Sequence, residues 1–102
     1  MEKTYAEVSV SVNEEGYLTD LSQWTKEVGN EIAKEEGIEM TDKHWEVINY
    51  LQEQYRNEVP LNIRKVGKSG VVSIKEFYAL FPNGPLKISS RISGIPKPIS
   101  CI

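Results

Sequence analysis

Thiols and imidazoles are almost absent from this chain: of its 102 residues, one is cysteine and one is histidine. A single cysteine cannot build a disulfide framework, and its isolation suits a reducing compartment, so the cytoplasm is the expected location. One cysteine and one histidine also cannot furnish the four ligands of a structural zinc site within a monomer. No metal and no cofactor are therefore expected. No apolar run approaches the roughly 20 residues that cross a bilayer. The opening Met1-Glu2-Lys3-Thr4-Tyr5-Ala6-Glu7 lacks the basic-then-apolar layout of a secretory signal, and no membrane partner is expected. A glycine-rich phosphate loop and a Ser/His/Asp signature are missing as well. What is present, 39% hydrophobic and 26% charged residues, suits one soluble globular domain over residues 1–102.

Acidic residues are scarce in one half only. Residues 1–59 carry five Lys/Arg against fourteen Asp/Glu, a net charge of −9. Residues 60–102 carry seven Lys/Arg (Arg64, Lys65, Lys68, Lys75, Lys87, Arg91 and Lys97) against the single acid Glu76, a net charge of +6. A cationic half favours a thiolate over a thiol. It also favours an acidic partner or an RNA.

The one cysteine, Cys101, is next to last, on a tail reading Gly94-Ile95-Pro96-Lys97-Pro98-Ile99-Ser100-Cys101-Ile102. An exposed thiol is a liability that sequences usually avoid, so the thiol itself is read as the working group. Pro96 and Pro98 fix their own φ and push Ile95 and Lys97 out of the helical region. The result is an arm over residues 94–102 that stays extended and loses little entropy when a partner holds it. Residues 94–101 span at most roughly 23 Å.

The stretch Leu80-Phe81-Pro82-Asn83-Gly84-Pro85-Leu86-Lys87, then Arg91-Ile92-Ser93-Gly94-Ile95-Pro96-Lys97-Pro98 and the penultimate Cys101, resembles the C-terminal signature of the DsrC/TusE family. Gly16-Tyr17-Leu18, Trp24, Thr41-Asp42-Lys43-His44-Trp45 and Tyr50-Leu51 extend the likeness. The resemblance implies a small sulfur carrier, working either with dissimilatory sulfite reductase or in thiolation of tRNA. DsrC proteins proper carry a second cysteine eleven residues before the penultimate one, and here that position is Ser90. The likeness is thus to the single-cysteine, TusE-like members, without an intramolecular disulfide. Position 100 is Ser where family tails often carry Gly or a basic residue.

Periodicity places the motifs. Residues 5–12 alternate, with Val8, Val10 and Val12 on one face, and read as a half-buried strand. Asn13-Glu14-Glu15-Gly16 reads as the turn of a hairpin returning through Tyr17-Leu18-Thr19. Ser22 is the expected N-cap of a helix carrying Trp24, Val28 and Ile32, closed by Gly37. Thr41 caps a second helix with His44, Val47, Ile48, Leu51 and Tyr55 on its apolar stripe. Pro60 opens a third, over residues 60–68. Ser73-Ile74-Lys75-Glu76 is a capping box that starts a fourth, and Pro85 starts a last one before Gly94. The expected fold is α+β: a mostly helical single domain with an N-terminal β-hairpin, a helix-turn-helix-like helix pair and an extended C-terminal arm. Trp24 and Trp45 are read as core residues, and His44 as a hydrogen-bonded, partly buried imidazole.

The expected function is sulfur relay. Cys101 accepts a persulfide from a donor protein and passes it to an acceptor enzyme, in tRNA thiolation or sulfite-reductase-type metabolism, with an indirect association with tRNA. This is a persulfide-transferring carrier of the sulfurtransferase class more than a stand-alone enzyme. Arg64 and Lys68, four apart on one helix face, together with Arg91 and Lys97, are the candidates for stabilising the thiolate or binding partners. Two alternatives stand beside it. One is a non-covalent subunit of a complex resembling dissimilatory sulfite reductase. The other is a helix-turn-helix DNA regulator, which the apolar bulk of Ile74-Lys75-Glu76-Phe77-Tyr78-Ala79-Leu80-Phe81 disfavours, so no specific DNA binding is expected.

Overall fold

The computed structural model describes residues 1–82 and 84–96. Expectations for Cys101 and Lys97 therefore lie outside the described residues. Among those described, two antiparallel strands, β1 (Glu2–Tyr5) and β2 (Val8–Ser11), precede five helices: α1 (Lys26–Glu35), α2 (Asp42–Arg56), α3 (Ile63–Lys68), α4 (Ile74–Leu80) and α5 (Pro85–Ser93). The α+β, mostly helical architecture is the one the sequence implies.

The hairpin differs in register from the sequence reading. Tyr5 pairs with Val8, so the chain reverses at Ala6-Glu7 instead of running on as one strand. Both turn residues have positive φ, 51° and 66°, the geometry that matches strand twist in a two-residue loop. Neither residue is a Gly, Asn or Asp, so no turn signal marks the place. Val10 and Val12 are buried, whereas Val8 sits at the hairpin tip and is partly exposed. The expected return strand survives as one bridge, Val12 to Leu18. Its turn is held by Asn13 Oδ1, which accepts from the amides of Glu15 and Tyr17 at 2.9 and 3.0 Å.

Helix α1 starts three residues later than Ser22 implies. Asp20 caps a short 3-10 turn, Leu21–Gln23, and Thr25 then caps α1 by accepting from the Val28 amide. Trp24 lies between the two and is free to turn aside from the helix. At the far end, Ile38 N donates to Ala33 O and Gly37 N to Lys34 O, a pattern that satisfies the last carbonyls through a left-handed glycine. Helix α3 begins at Ile63 instead of Pro60, because Asn62 Oδ1 takes the Lys65 amide at 2.7 Å. The Ser73–Glu76 capping box of α4 is present as expected.

His44 joins two helix ends. Its Nδ1 accepts from the Thr41 amide at 3.0 Å, so Nε2 carries the hydrogen and donates to Leu80 O at 2.9 Å. One imidazole thereby closes the start of α2 and the end of α4, with its ring edge-on to Phe81 at 5.1 Å. His44→Ala strands the Leu80 carbonyl and the Thr41 amide near the core. The expected cost is about 2–3 kcal/mol, read as a lower urea midpoint at unchanged m-value. A midpoint equal to wild type contradicts this linkage.

Helix α5 lies across the core, packed on both α1 and α2. Val28, Ile32, Val47, Ile48, Leu51 and Ile92 are completely buried there.

Candidate functional site

The arm is rooted at the C-terminal end of α5. The last four carbonyls of α5 lie past the regular helical ladder, and all four find partners; Ser90 O also takes the Ser93 hydroxyl at 3.0 Å. Ile95 N donates to Ser90 O at 3.2 Å and Gly94 N to Arg91 O at 3.3 Å. Trp24 Nε1 donates to Ile92 O and Gln52 Nε2 to Ser93 O, both at 2.7 Å. Gly94 has φ 77°, a conformation that penalises any residue with a Cβ. Trp24 packs directly on it, so a Cβ at Gly94 would lie 2.6 Å from Trp24 Cδ1. The same indole also approaches Gly29. Ile95 is 2% exposed, and Pro96 is the first exposed residue beyond it.

The expected arm of residues 94–102 is therefore anchored through Ile95. From Pro96, the covalent reach to Cys101 is at most roughly 17 Å. That Trp24 and Gln52 hold this root is not legible in the sequence. Trp24 fitted a helical apolar stripe, and Gln52 carried no signal beyond being a polar residue among the buried positions of α2.

Arg91 lies one turn before the root, and its guanidinium is engaged within the domain. It donates from Nε to Gly16 O at 3.2 Å, from one terminal nitrogen to Glu36 at 2.7 Å, and from the other to Glu35 at 2.6 Å and Tyr5 Oη at 3.2 Å. Glu35 also takes Lys3 Nζ at 3.0 Å and the Tyr5 hydroxyl at 3.0 Å. This cluster ties β1, the 13–16 turn and the end of α1 to α5. Burial by itself would raise the Glu35 carboxyl, but hydrogen bonds from Arg91, Lys3 and Tyr5 outweigh it and hold the group below its ordinary value.

A depressed carboxyl contributes stability above its unfolded pKa, and that stability is lost as pH falls through the folded-state value. Melting temperature should consequently fall with acidification below about pH 4–5, and Glu35→Gln should flatten that acid limb. Parallel acid limbs in wild type and Glu35→Gln would show that the cluster carries no such linkage.

Arg64 and Lys68 are both exposed on α3 and, with Tyr50, Asn62, Lys65 and Ser69, line one shallow groove. The sequence-based pairing of these two cations on one face is what the helix displays. Arg91 does not join them.

Ser90 is completely buried, and its hydroxyl has no hydrogen-bond partner among the described residues. A buried hydroxyl without a partner costs free energy. Ser90→Ala is expected to be neutral or to stabilise by up to about 1 kcal/mol; a destabilisation of that size would reveal a partner for the hydroxyl.

The model of the family described as DsrC like protein matches residues 4–102. This chain belongs to the DsrC-like family. The sulfurtransferase TusE of Salmonella typhimurium strain LT2 is 37% identical, the match covering 91% of this chain and 93% of the relative. The solution structure of Allochromatium vinosum DsrC matches with a TM-score of 0.81 and 36% identity, covering all of both chains. The crystal structure of the oxidized gamma-subunit of dissimilatory sulfite reductase (DsrC) from Archaeoglobus fulgidus gives 0.84 and 31%, again over both chains in full. The fold of this DsrC-like protein, hairpin and five helices, is thus that of known DsrC structures.

No helix among its described residues is long and apolar enough to cross a membrane.

Proposed function

We propose that this protein is a sulfur-relay carrier whose Cys101 accepts sulfur from a donor protein and hands it to an acceptor enzyme. The observation that supports this most is the root fastened by Trp24, Gln52 and Gly94, beyond which the sequence leads through Pro96 and Pro98 to the chain's single thiol. Its family membership and its sulfurtransferase relatives agree with that reading.

The step balances without an external oxidant. The Cys101 thiolate attacks the outer sulfur of the donor's persulfide, a new S–S bond forms on Cys101, and the donor's S–S bond breaks. The electron pair leaves with the donor cysteine, which departs as a thiolate. An unperturbed thiol is only a few per cent ionised at neutral pH. Arg64, Lys68 and Lys97 therefore act as the cations that favour the thiolate or receive an acidic partner. Arg91 acts indirectly, by fixing the helix from which the arm departs. With Ser90 where DsrC proteins carry a second cysteine, the single-cysteine chemistry favours relay, as in TusE-type sulfurtransferases, over an internal disulfide. We place this work in a reducing compartment, the cytoplasm, where a lone thiol persists.

The alternative of DNA regulation meets an obstacle in α4, whose exposed positions include Ile74 and Tyr78 beside one lysine, Lys75. A recognition helix needs several polar side chains at base edges.

Truncation after Pro96 tests the reading. This deletion spares Ile95, so the shortened protein should melt close to wild type while taking no sulfur from a persulfide-loaded donor. A truncated protein that still becomes loaded would overturn the proposal.

A further inference from the structure

In the N-terminal half the cations are largely occupied. Lys3 pairs with Glu35, Lys34 with Glu31 and Lys43 with Glu46, while Lys26 lies 5.1 Å over the Trp45 ring. On α3 and α4 the situation is reversed. Arg64, Lys68 and Lys75 are exposed, and among the described residues no carboxylate pairs with any of them.

The same surface exposes apolar area. Ile74 is 43% exposed and Tyr78 46% exposed, one turn apart on α4, so they form a stripe. Contact between the helices seats Ile74 on α3, the helix that carries Arg64 and Lys68. A Cβ at Gly67 would collide with Ile74 Cγ1, so Ile74 rests against the backbone of α3 at Gly67, three residues after Arg64 and one before Lys68 in sequence. Glu76, the nearest acid in sequence, is turned back to the Ser73 amide as a cap. Exposed apolar residues on the same helix pair as unpaired charge of one sign are features of a protein contact surface.

We propose that the α3–α4 face, centred on Ile74 and Tyr78 and rimmed by Arg64, Lys68 and Lys75, docks an acidic protein surface with an apolar centre, namely that of the protein exchanging sulfur with Cys101. This rests on the carrier reading above. The apolar stripe decides for a protein over a nucleic-acid backbone, because Ile74 offers nothing to a phosphate. Charge decides the sign of the partner, since complementary potentials speed encounter and suppress wrong pairings.

The test compares two sulfur sources on the full-length chain. One is a persulfide-loaded relay donor protein, which must dock; the other is glutathione persulfide, which need not. The variants are Tyr78→Ser combined with Lys75→Glu, and separately Arg64→Glu combined with Lys68→Glu. For each, the efficiency of loading from the protein donor, relative to glutathione persulfide, is expected to fall at least about tenfold through a raised KM. Raising salt should weaken docking of the wild type in the same direction.

Unchanged ratios in both variants would overturn the docking surface while leaving the carrier reading intact. Loss of tRNA binding, or of a concentration-dependent dimer, with an unchanged ratio would overturn it in favour of an RNA or a second copy. If wild-type protein takes sulfur from neither source, the carrier reading falls and the docking surface with it.

Discussion

Cys101→Ser is expected to abolish sulfur loading completely while leaving the melting temperature within a degree or two of wild type. The chemistry requires a sulfur nucleophile, and serine's hydroxyl cannot form a persulfide under any of the same conditions. The stability expectation has a separate basis. Ile95, 2% exposed, is the last buried residue among those described, and substitutions away from packed or hydrogen-bonded groups usually change stability by less than about 0.5 kcal/mol. Intact-mass measurement after incubation with a loaded donor reads the first effect, and calorimetry the second. Loading of the serine variant at the wild-type level would place the acceptor elsewhere.

Gly94→Val should be among the most destabilising single changes in the chain. Valine in a left-handed conformation costs about 1–2 kcal/mol. Its Cβ must also displace Trp24, three of whose atoms lie within 3.0 Å of that position, adding about 1–3 kcal/mol of overpacking. The sum, roughly 3 kcal/mol, lowers the melting temperature by more than about 10 °C in a domain of this size. Gly37→Val is the matched control. That glycine has φ 74°, yet nothing lies within 4 Å of an added Cβ, so only the conformational part should be lost. Combining Gly94→Val with Trp24→Ala should recover part of the loss, a coupling read by a double-mutant cycle. Equal costs at Gly37 and Gly94, with no coupling to Trp24, would contradict the picture of an indole seated on the arm root.

Elements announced by local chemistry were readable in advance. Thr41 and the Ser73–Glu76 capping box marked two helix starts, Pro85 a third, and Gly37 and Gly94 two ends, because each signal acts through hydrogen bonds within a few residues of itself. The hairpin was misregistered for the opposite reason. No Gly, Asn or Asp marks its turn at Ala6-Glu7, and Tyr5 is held by Glu35, thirty residues away. Trp24 misled in a similar way. Its spacing to Val28 and Ile32 suits a helical stripe, but its indole is claimed by Ile92 O on α5, sixty-eight residues away. Cations could be counted from the sequence, but their availability could not. Arg91 is consumed by Glu35 and Glu36, whereas Arg64 and Lys68 are left on a surface, and only the packing of α5 on α1 separates the two fates.

The decisive measurement follows labelled sulfur through a single turnover. Radiolabelled persulfide on the donor is mixed with this protein and an acceptor enzyme, and the label on each is sampled over time, with peptide mapping of the intermediate. Label that appears transiently on the C-terminal peptide containing Cys101, then moves to the acceptor at a matching rate, is the predicted result. Label reaching the acceptor equally fast without this protein, or through the Cys101→Ser variant, would contradict the relay.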